Sequence, residues 1–280
     1  MKQDDPSMPW PGIIQYYAQY LPINETTPQL TLLEGNTPLL PLERLAGKLG
    51  FKGKLYLKNE SLNPTGSSKD RGMVVAICKA LESHAPGLIC PSLGNTGVSA
   101  AAYAAVTGLP CFILVPEEIA ITSRMWQAQI HQAAVLGIRG TYGDCVAIAR
   151  EIGESQGYTL LNSLNPYCLE GLKTAVFEIL DHLKTPPHYL AVPVGEGGLM
   201  TALWQGLKAY KENGQLMGPY PSILGFQSTD SQKGLASAIQ TGDVANWNGV
   251  MDAVDESGGL LDQVTDEEIA QAYQILAATE

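Results

Sequence analysis

The sequence predicts an α/β fold: a mainly parallel sheet with helices over both faces. Strand signals and helical patterns alternate along the chain, as βα units do. Apolar strand runs also empty directly into Gly/Asn/Ser turns that open helices, at three places. With 280 residues, 45% apolar and 16% charged, the chain can bury one large or two modest cores.

Residues 1–30 carry a short aromatic helix pattern, IIQYYAQYL, between Pro11 and Pro22. KLYLKNE then reads as a strand over 54–60, NPTGSS as a turn and KDRGMVVAICKALE as a helix over 69–82. Ser67 and Asp70 fit a capping box at that helix start. Further strand signals fall near 87–91, 111–115, 158–162, 188–194 and 222–227. Helical patterns fall near 97–107, 123–136, 143–156, 168–184, 199–213, 231–240 and 266–279. The last helix is expected to be capped at Thr265 with Glu268. It should bury a stripe of Ile269, Ala272, Tyr273, Leu276 and Ala277. NSLNP, at 162–166, is the best-placed hinge.

Composition narrows the function classes. A formal charge of −11 and the lack of a basic cluster argue against nucleic-acid partners. No apolar run reaches the ~18 residues of a membrane helix, and MKQDDPSMPW lacks a signal-peptide pattern, so no membrane partner and a cytoplasmic location are expected. The five cysteines are scattered, with Cys78, Cys90 and Cys111 in apolar patterns that predict reduced core thiols. Neither HExxH nor zinc-site spacing occurs, so no metal is expected.

Ligands of open parallel sheets collect where strands end and helices begin. At the first such junction, Lys69 opens a helix where the dipole disfavours an ammonium, which makes it a candidate amine nucleophile. The second, PSLGNTGVSAAAYAA, offers helix-start N–H groups and the hydroxyls of Ser92, Thr96 and Ser99 to a carboxylate or phosphate. The third, HYLAVPVGEGGLMTALWQGLK, runs a strand through Gly195-Glu196-Gly197-Gly198 into a helix. Its glycines could close around an anion, while Met200 and the missing Gly-Lys-Ser/Thr exclude dinucleotide and Walker loops.

NPTGSSKDRG resembles the Schiff-base lysine segment of fold-type II pyridoxal-phosphate enzymes and is most similar to threonine synthases. LLEGNTPLLPLERLA, LGNTGVSAAAYAA, NSLNPYCLEGLKT, VPVGEGGLMTALWQG and ESGGLLDQVTDEEIAQAY resemble the same family in order, over nearly the whole chain. The resemblance implies two three-layer α/β/α domains: 1–165 with the lysine and a mobile part at about 87–160, and 166–280 with the phosphate cup. It implies pyridoxal 5'-phosphate on Lys69, with Asn95 at the ring hydroxyl and Gly195, Glu196, Gly197, Gly198 and Leu199 around the phosphate. Ser92, Thr96, Asn162 and Ser163 would hold an amino-acid substrate. The implied reaction converts O-phospho-L-homoserine and water to L-threonine and phosphate, in a homodimer, with Lys69 moving the protons.

Several positions depart from the family's pattern. Leu93 stands where Ser or Thr is expected, and Glu196 and Leu199 stand where many threonine synthases have Asn. A carboxylate about 5 Å from the phosphate would be repelled by roughly 3 kcal/mol at an effective dielectric of about 20, so Glu196 is expected to point outward. Cys168 occupies a position associated with a phosphate-binding arginine, which Arg71, Lys173 or another residue would have to replace. The family's later G-I-F-x-E-P-A-S-A-like segment, which brings a hydroxyl to the pyridine nitrogen, does not follow here, so the C-terminal domain is expected to be incomplete. Two alternatives stay open: a threonine/serine dehydratase or β-replacement enzyme of the cysteine or cysteate synthase kind, and a truncated, non-catalytic member.

Overall fold

The computed structural model describes residues 9–229, 235, 236, 239 and 244–280. Cα packing divides the chain into two units. The first comprises the described residues up to Asn36 together with Glu60–Thr174; the second comprises Thr37–Asn59 and Ala175–Glu280. These units differ from the expected 1–165 and 166–280 in two places: residues 37–59 group with the second unit and residues 166–174 with the first.

In the first unit, helix α1 (Ile13–Tyr16) precedes an alternating series. It runs through α3 (Lys69–Glu82), β3 (Leu88–Pro91), α4 (Asn95–Thr107), β4 (Cys111–Pro116), α5 (Ser123–Ile130), β5 (Ala134–Ile138), α6 (Tyr142–Gln156), β6 (Thr159–Leu160) and α7 (Pro166–Leu172). Helix α2 (Glu43–Lys48) belongs to the second unit. The four strands form a parallel sheet ordered β5-β4-β3-β6. Every residue of β3 is buried, as a central parallel strand requires. Helix α4 packs closely through small residues; a Cβ on Gly97 would stand 3.2 Å from both Ile113 and Ser92.

The helical pattern read over 123–136 is two elements. Helix α5 closes in a Schellman motif, with Gln132 N–H on Gln129 O and Ala133 N–H on Ala128 O. The left-handed position is Gln132, at φ 66, rather than the usual glycine, so the stop is invisible to composition. The freed apolar run Ala134–Ile138 then pairs with β4. The pattern over 168–184 likewise splits, into α7 and α8 (Thr174–Leu183). Asn165 caps α7, its Oδ1 accepting from Tyr167 N–H at 2.9 Å, with Pro166 in the first turn.

The second unit holds an antiparallel pair, β1 (Leu39–Pro41) and β2 (Tyr56–Lys58), flanking α2 (Glu43–Lys48). It also holds a parallel sheet β7-β8-β9: β7 (Tyr189–Pro193), β8 (Ser222–Ser228) and β9 (Leu260–Val264). Helices α9 (Gly198–Glu212) and α10 (Trp247–Ser257) pack on that sheet, and α8 and α11 (Asp266–Thr279) complete the unit. Lys58 joins the pair to this unit, its Nζ donating to Glu178 Oε2 and to Thr37 O, both at 2.6 Å. The sequence reading missed β1, β5, β9, α2 and α10. The helix expected over 231–240 lies largely outside the described residues.

Thr265 and Glu268 form the expected reciprocal box on α11. The expected apolar stripe is not buried, however: Tyr273 is 73% exposed, Ala272 and Ala277 are exposed, and Ile269 and Leu276 are half-buried. The helix meets α2 instead at its end, where Leu45 N–H donates to Glu280 Oε1 at 2.9 Å.

All five cysteines are buried and free. Among the described residues, no helix is long and apolar enough to cross a membrane, and no group of three His, Cys, Asp or Glu is placed to hold a metal ion.

Candidate functional site

Lys69 is the first residue of α3 and is half-buried. The turn before it closes with Gly66 N–H on Asn63 O, and Gly66 sits at φ 84, where an L side chain would be strained. Only half of the expected Ser67–Asp70 capping box forms: Ser67 Oγ accepts from Lys69 N–H at 3.3 Å, while Asp70 does not reach back. Ser68 occupies the N-cap without a side-chain bond, and Asp70 turns instead to Thr65 and Ser99. Its Oδ2 accepts from Thr65 N–H at 2.7 Å, and its Oδ1 accepts from Thr65 Oγ1 at 2.7 Å and Ser99 Oγ at 2.5 Å. Three donors outcompete one, and the carboxylate is buried as a result. Desolvation raises its pKa, against the hydrogen bonds from Ser99 and Thr65, which lower it.

A second network braces the other side of the turn. Arg71, fully buried, donates two parallel bonds to Glu60, Nε to Oε2 at 2.7 Å and Nη2 to Oε1 at 2.8 Å, and a third from Nη1 to Thr174 at 3.2 Å. Asn63 donates to Glu60 Oε2 at 3.0 Å and accepts from Gly35 N–H at 2.9 Å. Helix α7 approaches so closely that a Cβ on Gly171 would fall 1.9 Å from Arg71 O, and one on Gly72 would fall 2.8 Å from Cys168 O. Cys168 is sealed in that contact, and burial pushes its thiol up to about 12, with the Lys69 charge lowering it in part.

These contacts decide the fate of the two proposed stand-ins for a phosphate-binding arginine. Arg71 is spent on Glu60, and Lys173, 7% exposed, is bonded to Glu170 at 2.5 Å. A buried charge stripped of such a partner costs several kcal/mol, so each cation keeps its carboxylate in this fold.

At the second junction Ser92 is buried, its Oγ accepting from Gly97 N–H at 2.8 Å and Gly94 N–H at 3.2 Å. It shapes the loop. Ser99, also buried, donates to the carboxylate of Asp70 within the fold rather than to a ligand. Asn95 and Thr96, in the first turn of α4, are half-buried, and Leu93 is 48% exposed. Asn162, half-buried, accepts from Leu164 N–H at 3.0 Å, and Ser163 beside it is buried. Lys69, Ser92, Asn95, Thr96, Asn162 and Ser163 all belong to the first unit.

Gly195–Leu199 belong to the second. Here the chain leaves β7, turns at Gly197 (φ +90) and enters α9 with no side-chain cap. A Cβ on Gly197 would stand 2.7 Å from Val250, so the backbone is held by α10. Glu196 is half-buried and its carbonyl accepts from Asn246 N–H at 3.0 Å. An uncapped helix start lined by glycine fits a phosphate group, which takes up such first-turn N–H donors. The amine of Lys69 fits an aldehyde. A cleft of about 280 Å³ between α3, β6 and α7, lined by Lys79, Glu82 and Tyr167, contains none of these residues.

Comparison with known proteins identifies the family. The pattern described as "Pyridoxal-phosphate dependent enzyme" matches residues 30–280. A threonine synthase of Synechocystis sp. is 44% identical over 282 residues, covering 97% of this chain and 74% of that protein. Those of Halalkalibacterium halodurans (44%, 97% and 78%) and Mycobacterium leprae (40%, 100% and 80%) are similar. Among solved structures, a pyridoxal 5'-phosphate-dependent aspartate racemase has a TM-score of 0.71 at 21% identity, covering 87% of this chain and 78% of its own. A threonine deaminase from T.th. has 0.69 at 24%, covering 88% and 81%. These two share the fold. A lysine-bearing helix start, a glycine-lined helix N-terminus and this degree of likeness place the chain in the pyridoxal-phosphate-dependent enzyme family, among the threonine synthases.

Proposed function

We propose that this chain converts O-phospho-L-homoserine and water to L-threonine and phosphate, with Lys69 as its catalytic amine. The observation that carries the reading is Lys69 itself, at a helix start braced by two buried polar networks. When bound, pyridoxal phosphate supplies an aldehyde for that amine and a ring that takes up electron density from the substrate's α-carbon. Lys69 binds the aldehyde and, as a free amine, moves protons between substrate Cα and Cβ. Asn95 would hold the ring hydroxyl, and Gly195–Leu199 would hold the phosphate through backbone N–H groups. Thr96, Asn162 and Ser163 bind the amino acid, while Ser92 shapes their loop. The enzyme works as a homodimer in the cytoplasm, and sedimentation velocity tests the first of these.

O-phosphohomoserine and threonine, supplied side by side, test the reaction. Phosphate release with threonine formation is expected from the first and little 2-oxobutanoate from the second. The reverse pattern would establish a dehydratase. One observation favours that second reading: Arg71 and Lys173 are both neutralised inside the fold, which suits a leaving group without charge.

Gly197→Ala tests the cup. The added Cβ would meet Val250 at 2.7 Å and Val244 at 3.0 Å in a left-handed conformation. Pyridoxal phosphate affinity, followed by fluorescence titration, is expected to fall about tenfold or more, with a stability loss of ~1–3 kcal/mol.

A further inference from the structure

We propose that Asp70 is the positioning residue of the reacting lysine, holding the Lys69 turn and the first half of α4 as one body. The inference rests on the roles given above to Lys69 and Asn95. Asp70 is the residue next to Lys69, and its buried carboxylate has two legs. One leg takes the backbone N–H and the hydroxyl of Thr65, in the turn that leads to Lys69. The other takes the hydroxyl of Ser99, which is fully buried.

Ser99 lies four residues after Asn95 on α4, so the two side chains leave the same helix face. Tyr103, four further on, continues that face and donates to Glu34 Oε2 at 2.8 Å. Glu34 in turn accepts from Leu32 N–H at 3.0 Å and Ile13 N–H at 3.3 Å. The Asn95 face of α4 is thus tied at two successive turns, to the lysine turn through Asp70 and to the N-terminal segment through Glu34. A rotation of α4 would pull on Asp70, and through it on the peptide that carries Lys69.

The variants separate positioning from folding. Ser99→Ala removes only the α4 leg and puts a strong helix former in α4. Asp70→Ala removes both legs. Asp70→Asn can keep both: its oxygen accepts from Thr65 N–H, and its amide donates to the two hydroxyls once they rotate. The readouts are thermal melting without cofactor, and the rate at which Lys69 captures added pyridoxal phosphate, followed by absorbance and by borohydride trapping with peptide mass analysis. Below the melting transition, Ser99→Ala is expected to capture about tenfold more slowly than wild type, Asp70→Ala slower still, and Asp70→Asn within about threefold of wild type. If Asp70→Ala does not fold, Ser99→Ala decides. Folded Ser99→Ala that captures at the wild-type rate, or Asp70→Asn as slow as Asp70→Ala, overturns the proposal. Wild-type protein that captures nothing at Lys69 overturns the functional reading, and this one with it.

Discussion

Lys69→Ala will leave a folded protein that captures no pyridoxal phosphate and has lost at least ~10³-fold in turnover, the upper range of what a positioned proton-transfer group supplies. Its stability should change by less than ~1 kcal/mol, because an ammonium in the first turn of a helix opposes the dipole and Lys69 is only half-buried. Lys69→Arg should fold as well and fail as completely, since a guanidinium stays protonated and cannot act as the amine. Borohydride reduction followed by peptide mapping checks both variants. Label on any residue other than Lys69 in the wild type would sink the assignment.

Gly171→Ala carries the largest expected structural effect. The new methyl would lie 1.9 Å from the carbonyl oxygen of Arg71, 2.6 Å from its carbonyl carbon and 2.8 Å from the Cα of Gly72. All three atoms are backbone, so no side-chain rotation relieves the overlap. Either α3 and α7 part, opening the core around Cys168 and the Arg71–Glu60 pair, or the first unit does not form. A loss of at least ~4 kcal/mol is expected, seen as a melting temperature lower by roughly 8–16 °C or as insoluble protein. Gly47→Ala is the control: it lies in α2, nothing stands within 4 Å of its added Cβ, and the change should be neutral or stabilising by ~0.5–1 kcal/mol. Equal losses from the two substitutions would mean that the α3–α7 contact does not limit stability.

The same contact bears on substrate choice. A thiol at position 168 is small enough for α7 to close on Gly72, and it is buried and protonated at neutral pH. Arg71 and Lys173, the two cations named for that role, are each paired with a carboxylate of the fold. Affinity for O-phosphohomoserine is therefore the quantity to measure when these positions are varied.

Much of this was legible in the chain. The lysine helix runs over the predicted 69–82 because its turn residues and apolar run act within a few residues of one another. The strand-to-glycine-to-helix junctions are local too, as is the Thr265–Glu268 box. What the sequence could not disclose depended on partners distant along the chain. Gln132 ends α5 in a conformation usually given to glycine, because the run after it gains a parallel partner in β4. Asp70, read as a local cap, is shared between Thr65 and Ser99, the latter 29 residues away. Residues 37–59 join the second unit through Lys58 and Glu178, 120 apart. Local chemistry by itself marked where α3 and α11 begin and singled out the candidate amine. Tertiary structure alone decided which charges remain available to a ligand, because desolvation makes a buried cation or carboxylate take the nearest partner that the fold provides.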